Sequence, residues 1–91
     1  MSKEQWQILI EGKVQGVSYR AAAQASAREL DITGYARNLA DGRVEIQAQG
    51  HPDSLEQLVD WCWQGSPASE VENVKVRKSA ESDDFSDFTT A

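Results

Sequence analysis

Residues 6–30 have the sequence WQILIEGKVQGVSYRAAAQASAREL, and the spacing of the apolar side chains changes along this stretch. At its start, Trp6, Ile8 and Ile10 occupy every second position. A period of two is typical of a β-strand, and these three side chains give the strand one fully apolar face. We therefore predict a first strand here.

The second part of the same stretch has the spacing of a helix. Residues 19–30 contain five alanines, which favour helix formation. One apolar stripe runs along this helix and is formed by Tyr19, Ala23, Ala27 and Leu30. Gly12 and Gly16 mark a short loop, residues 13–18, that joins the strand to the helix.

The middle of the chain predicts a hairpin. Gly34 ends the helical unit, and residues 35–39 follow as a second strand. The dipeptide Asp41-Gly42 is typical of tight hairpin turns. A third strand comes after the turn, with apolar side chains at alternate positions; they are Val44, Ile46 and Ala48.

A second helix is predicted after Gly50, because Pro52 suits a first helical turn and Gly65 and Pro67 end the pattern. Its apolar stripe is Leu55, Leu58, Val59 and Cys62. We expect Cys62 to belong to the core, and one of Trp61 and Trp63 to be partly exposed. His51 directly precedes this helix, and a capping role is favoured over catalysis.

The last quarter of the chain has weaker patterns. Val74 and Val76 indicate a fourth strand, and residues 78–84 are polar and acidic, which favours a loop. Within this loop, residues 81–84 (ESDD) are expected to be solvated. Phe85 and Phe88 indicate a short closing strand.

The order strand, helix, strand, strand, helix, strand is the signature of an α+β ferredoxin-like βαββαβ sandwich, an antiparallel sheet with two helices on one face. We expect it to form one domain over residues 1–91. The right-handed crossover rule makes the first two strands parallel, with the third strand between them. The loop over residues 13–20 and Asn38 then lie at one edge of the sheet, about 10 Å apart. Their side chains can meet over one small ligand.

Composition limits the classes of function. The formal net charge of −6 argues against non-specific nucleic-acid binding. An RNA-binding domain of this fold also needs a pair of exposed aromatic residues on its central strands, and the sequence predicts none there. Cys62 is the only cysteine, so no disulfide can form within the chain. Neither a signal-peptide pattern nor an apolar run long enough to span a bilayer is present. We expect a cytoplasmic monomer that binds neither nucleic acid nor membranes.

The loop that ends at Arg20 is the first candidate site. It leads into a helix N-terminus, where unpaired N–H groups and the helix dipole favour an anion. Gly16 lacks a Cβ and allows a ligand close to the backbone. The guanidinium of Arg20 fits phosphate oxygens in a bidentate manner. On spacing alone, a plain connecting turn with a solvent-exposed arginine is the more common interpretation.

Asn38 is the second candidate, because an amide side chain both donates and accepts hydrogen bonds and can orient a water molecule. The alternative is that Asn38 supports the hairpin turn, as asparagine often does. No set of histidine, cysteine and carboxylate residues has the spacing of a metal site. We therefore expect no metal and no cofactor.

Two long stretches resemble a known family. Residues 11–20 (EGKVQGVSYR) resemble the first acylphosphatase signature, G-x-V-Q-G-V-x-F/Y-R. Residues 34–45 (GYARNLADGRVE) resemble the second, G-W/Y/F-V-x-N-x-x-D-G-x-V-E. The two motifs occur in the right order and at the right distance, and the resemblance covers nearly the whole chain. Ser18 stands where an aromatic residue is common, and Ala36 where valine is common.

The resemblance implies an enzyme that hydrolyses acyl phosphates to a carboxylate and inorganic phosphate. It implies that Arg20 and Asn38 are catalytic, the latter by orienting the attacking water. The phosphate-binding residues that it implies are Gln15, Gly16, Val17, Ser18, Tyr19 and Arg20. We expect the product, inorganic phosphate, to inhibit. Three further cations are expected near Arg20, where they would steer anionic substrates; they are Lys13, Arg37 and Arg43.

Two other functions compete with this one. The resemblance extends to the acylphosphatase-like module of hydrogenase-maturation carbamoyltransferases, which implies a domain that handles carbamoyl phosphate. A non-catalytic anion-binding module on the same fold is the second alternative, and the presence of both Arg20 and Asn38 argues against it.

Overall fold

The fold consists of strands and helices that alternate along the chain in the computed structural model, which describes residues 3–80 and 84–91. In chain order they are β1 (Glu4–Lys13), α1 (Tyr19–Glu29), β2 (Thr33–Asn38), β3 (Val44–Gly50), α2 (Pro52–Gln64), β4 (Glu70–Ala80) and β5 (Phe88–Thr90). The order predicted from the sequence, βαββαβ, is confirmed, and β5 follows it.

The strands form one sheet in the order β4-β1-β3-β2-β5. β3 therefore lies between β1 and β2, as the crossover rule predicts, and it runs antiparallel to both. β4 pairs antiparallel with β1, whereas β5 pairs parallel with β2. The ferredoxin-like fold is confirmed, but the sheet is mixed rather than wholly antiparallel, because β5 enters the far edge in the same direction as β2.

Several predicted bounds shift. β1 continues through Gly12 to Lys13, which is the first residue of the predicted loop, and its pairing with β4 changes register between Glu11 and Gly12. Gly12 has a φ of +130°, which residues with a side chain rarely adopt, and a Cβ there would come within 2.2 Å of the carbonyl oxygen of Glu70. The second strand begins and ends slightly earlier than predicted, at Thr33 and Asn38.

The predicted loop over residues 78–84 is partly wrong, because β4 continues to Ala80. Strand pairing with β1 extends that far and maintains the extended backbone. Residues 81–83, part of the predicted acidic loop, lie outside the described residues. Phe88 begins β5, while Phe85 precedes it and packs edge-on against Tyr35.

The core lies between the helices and one face of the sheet. Trp6, Ile8 and Ile10 are each 2% exposed or less, as the alternation predicts. The buried helix residues come from the predicted stripes and are Tyr19, Ala23, Ala27, Leu55, Leu58 and Cys62. Leu30 and Val59, at the margins of these stripes, pack against the core and are partly buried.

The predictions for the residues around α2 are confirmed except for one. Cys62 is in the core, and Trp63 is exposed while Trp61 is partly buried, as predicted. Pro52 is the first residue of α2, also as predicted. His51 occupies the capping position, but its side chain makes no capping hydrogen bond, so that prediction is wrong. Helix caps are typically short side chains with an oxygen that accepts from the backbone.

Candidate active site

The loop between β1 and α1 is fixed in the core at its first residue, because the Val14 side chain is buried. Gly16 and Ser18 both have positive φ, at 73° and 61°. Left-handed residues alternating with others curl a backbone so that its N–H groups can converge on an anion. A Cβ at Gly16 would meet nothing within 4 Å, so the loop faces open space there. The conformation therefore suits a small anionic ligand.

The N-terminus of α1 adds further donors to this loop. Ser18 is the residue that precedes the helix, and its side chain makes no capping hydrogen bond. No acidic side chain lies in the first turn. The first N–H groups of α1 thus have neither a side-chain cap nor a negative neighbour in that turn, and the positive end of the helix dipole favours an anion.

Arg20 and Asn38 line one cavity, although they lie on α1 and β2. Its volume is about 180 Å³. Its walls are formed by Val14, Gly16, Ser18, Tyr19, Arg20, Ala21, Asn38 and Thr90. Because β1 and β2 are both antiparallel to β3, they end at the same edge of the sheet, as predicted. The structure therefore brings the two candidate catalytic side chains together.

Two of the six predicted phosphate-binding residues do not line this cavity. The side chain of Gln15 donates hydrogen bonds to the carbonyl oxygens of Leu39 and Arg43. Val17 is partly buried against the core, and its carbonyl oxygen accepts a 2.9 Å hydrogen bond from the hydroxyl group of Ser66. Both side chains point away from the cavity, toward the hairpin and the core, and hold the loop in place there. Only the backbone groups of Gln15 and Val17 are left to face a ligand.

Sequence reasoning missed three residues around the site. The guanidinium of Arg20 donates a hydrogen bond to the main-chain oxygen of Ala91, and Thr90 forms part of the cavity wall. Ser66 is buried and anchors the loop from beyond α2. Nothing in the local pattern of the sequence marks these residues, because they reach the site only through the tertiary fold.

The expected group of steering cations is largely neutralised. Arg37 pairs with Glu45 on the neighbouring strand, and Arg43 pairs with Asp41 at 2.8 Å. Burial opposes ionisation of Glu45, but hydrogen bonds from Gln7 and Arg37 outweigh it and hold the pKa of that carboxyl group below its ordinary value. Arg20 forms no ion pair with an acidic side chain among the described residues, and its guanidinium instead binds the main-chain oxygen of Ala91.

Comparison with known proteins identifies the family. The family model described as Acylphosphatase matches residues 6–90. This chain belongs to the acylphosphatase family. The acylphosphatase from Marinobacter nauticus is 46% identical over 90 residues, which cover 99% of this chain and 98% of that protein. The protein is therefore an enzyme that hydrolyses acyl phosphates, and not a non-catalytic anion-binding module.

Solved structures agree with this assignment. The crystal structure of the acylphosphatase from Bacillus subtilis matches with a TM-score of 0.94 at 34% identity, over 97% of this chain and 98% of that one. HypF from T. kodakarensis matches with a TM-score of 0.85 at 21% identity, over 97% of this chain but 12% of that one. The likeness to HypF shows a shared fold only.

Over residues 3–80 and 84–91, no three histidine, cysteine or carboxylate side chains come close enough to hold a metal ion. Over the same residues, neither helix has the length and apolar character needed to cross a membrane.

Proposed function

We propose that Arg20 and the loop before it bind the phosphoryl group of an acyl phosphate, and that Asn38 orients the attacking water. The phosphate-binding residues are Gln15, Gly16, Val17, Ser18, Tyr19 and Arg20, of which Gln15 and Val17 contribute through the backbone. The observation that carries the proposal is the shared cavity, which Arg20 and Asn38 line together with Gly16 and Ser18, two residues with a left-handed backbone.

The chemistry needs only these groups. Water attacks phosphorus, the bond from phosphorus to the acyl oxygen breaks, and its electron pair leaves with the carboxylate. A carboxylate needs no proton to depart, so no general acid is required. The proton that the water loses passes to solvent or to the product phosphate. What remains for the protein is positioning and stabilisation of charge on the three outer phosphoryl oxygens.

Arg20 is suited to stabilise that charge. A guanidinium carries five N–H donors in a fixed fork, and the hydrogen bond to Ala91 uses one of them. The remaining donors can bind phosphoryl oxygens, while the bond to Ala91 limits rotation of the side chain. Together with N–H groups of the loop and of the first turn of α1, Arg20 holds the oxygens as their charge redistributes.

Asn38 is suited to hold the water. It is the last residue of β2, and its side chain is exposed on the wall of the cavity. Its amide can accept a hydrogen bond from water and can donate one. A water held there attacks phosphorus, and the acyl leaving group departs on the side of phosphorus opposite that water, as an in-line displacement requires.

Three further properties accompany this proposal. Inorganic phosphate binds the same cradle and inhibits, because it shares the oxygens that the cradle recognises. The enzyme acts as a monomer, since Trp63 and Val76 are the only large apolar side chains exposed in the described part of the chain. It acts in the cytoplasm as one domain over residues 1–91, which agrees with its single, buried and unpaired cysteine.

Turnover of acetyl phosphate and benzoyl phosphate by Arg20→Ala tests the proposal. In buffer that contains a chelator, we expect kcat/KM to fall by about a hundredfold or more, and the affinity for phosphate to fall with it. Arg20→Lys should not restore activity, because an ammonium group is a point charge and not a fork.

Arg28→Ala is the matched control. Arg28 lies on the same helix, but its exposed side chain pairs with Asp87, and such pairs contribute little to stability. We expect its turnover to equal that of the wild type. Near wild-type turnover by Arg20→Ala would overturn the role of Arg20. If the wild-type enzyme were active only after addition of a metal ion, the mechanism would be overturned.

A further inference from the structure

The side chain of Gln15 connects the loop before α1 to the hairpin between β2 and β3. Its Nε2 atom donates to the carbonyl oxygen of Leu39 at 2.8 Å and to that of Arg43 at 3.0 Å. Both partners are acceptors, so only the NH₂ end of the amide can make these two bonds. The residue is partly buried, which shields the bonds from water.

These two carbonyl groups lie where the hairpin closes. The N–H group of Leu39 donates to the carbonyl oxygen of Arg43 at 2.8 Å, and the N–H group of Gly42 donates to that of Leu39 at 3.2 Å. Each carbonyl oxygen has a second lone pair, and Gln15 uses it. Leu39 directly follows Asn38, so the bonds of Gln15 fix the backbone next to the residue that faces the cavity.

The phosphate-binding half of the loop has a different anchor. The hydroxyl group of Ser66 donates to the carbonyl oxygen of Val17 at 2.9 Å, and the N–H group of Ala22 donates to that of Ser18 at 3.1 Å. These bonds hold the loop against α1 and the segment after α2. Among the side-chain hydrogen bonds of the described residues, those of Gln15 are the ones that join this loop to the hairpin.

We propose that Gln15 is a positioning residue that sets the distance between the water on Asn38 and the phosphoryl group in the loop. The inference rests on the proposed roles of Arg20 and Asn38. Gln15 touches neither the water nor the phosphate through its side chain. It holds the loop before α1 and the hairpin between β2 and β3 at a fixed distance, and each of these two elements carries one half of the site. A displacement of about 1 Å between reacting groups can cost about a hundredfold in rate.

Gln15→Met tests this role, because methionine has similar length and no N–H donor. We expect kcat to fall by about tenfold, since the loop and the hairpin can then move apart. The Kd for inorganic phosphate, measured by titration, should change by less than about threefold, since the loop keeps its own anchor. A loss of phosphate affinity equal to the loss of kcat would show that Gln15 merely shapes the loop, and would overturn the proposal.

Two further variants sharpen the test. Gln47→Met is the matched control, because Gln47 lies on the open face of the sheet and makes its hydrogen bonds to Gln5 and Glu45. Its kcat should equal that of the wild type. Gln15→Glu keeps the shape of the side chain but removes the donors, so its kcat relative to wild type should be low near neutral pH and should rise as acid protonates the carboxylate. A flat ratio across pH would contradict the proposal.

A double-mutant comparison separates this inference from the role of Asn38. In an Asn38→Ala background the water is no longer held, so Gln15→Met should lower kcat by less than about twofold. If Asn38→Ala alone lowers kcat as expected but Gln15→Met still lowers kcat about tenfold in that background, the proposal for Gln15 is overturned while the role of Asn38 stands. Normal kcat in Asn38→Ala would overturn both.

Discussion

The hydroxyl group of Tyr19 donates a 2.8 Å hydrogen bond to the carbonyl oxygen of Cys62 inside the core. Tyr19 is the first residue of α1, and Cys62 lies in the last turns of α2. The ring of Tyr19 also contacts that of Trp61, with 5.1 Å between the ring centres. The helix whose N-terminus faces the cavity is therefore tied to the second helix at its first residue.

Tyr19→Phe should lower the free energy of unfolding by about 1–3 kcal/mol. The substitution removes the hydroxyl donor and keeps the ring, so the buried carbonyl group of Cys62 loses this partner. Urea unfolding followed by tryptophan fluorescence measures the change, and the slope against urea should stay the same. An unchanged midpoint would show that this hydrogen bond contributes no net stability.

Alkaline pH should destabilise the protein through Cys62. Burial raises the pKa of this thiol from 9.0 to about 12, although the neighbouring hydroxyl group of Tyr19 acts in the opposite direction. The unfolded chain thus loses the thiol proton more readily than the folded chain. The contribution is fully present below pH 9.0 and is lost as pH rises toward about 12.

The slope of this loss is up to about 1.4 kcal/mol per pH unit. Burial also raises the pKa of Tyr19, which adds a loss of the same sign at higher pH. The free energy of unfolding is measured at several pH values between neutral pH and about 12. It should fall less steeply with rising pH for Cys62→Ala than for the wild type. Equal slopes for the two proteins would contradict the pKa assigned to Cys62. The lower overall stability of the variant, caused by a cavity in the core, does not affect this comparison of slopes.

Much of the fold follows from two periodicities. The alternation of Trp6, Ile8 and Ile10 and the helical stripes give each element one apolar face, and only a few arrangements bury all of these faces at once. The crossover rule then places β3 between β1 and β2. The short β5 (Phe88–Thr90) escapes such reasoning, because three residues are too few to show a period.

The sequence likewise predicts one part of the candidate site and not the other. The two motifs place Arg20 and Asn38, because local chemistry and chain order determine where β1 and β2 end. Ser66 and Ala91 are 49 and 71 residues away from their partners in the loop and on α1, and no local pattern records such contacts. Glu45 shows the same limit, since its place on the open face predicts exposure, yet the hydrogen bonds and ion pair described above allow it to be buried.

Asn38→Ala should lower kcat strongly while it leaves the binding of inorganic phosphate nearly unchanged. The loss acts on the step in which water attacks, whereas Arg20 and the loop continue to hold the phosphoryl group. We expect kcat to fall by about tenfold to a hundredfold, the range for loss of one positioned group in a site of this kind. Steady-state kinetics with acetyl phosphate measures kcat, and direct titration measures the Kd for phosphate without the ambiguity of KM.

The alternative role of Asn38, support of the hairpin turn, predicts a different result. The turn has support of its own, because the carboxylate of Asp41 accepts hydrogen bonds from the backbone N–H and the guanidinium of Arg43. We therefore expect the thermal midpoint of Asn38→Ala to stay within about 2 °C of the wild type, as for an exposed position with little effect on stability. Asp41→Ala, which removes the turn hydrogen bonds but no group that lines the cavity, should show the opposite pattern: a lower midpoint and a kcat that falls less. A stable Asn38→Ala protein with normal kcat and weakened phosphate binding would assign Asn38 to the phosphate and leave the attacking water to be held by another group.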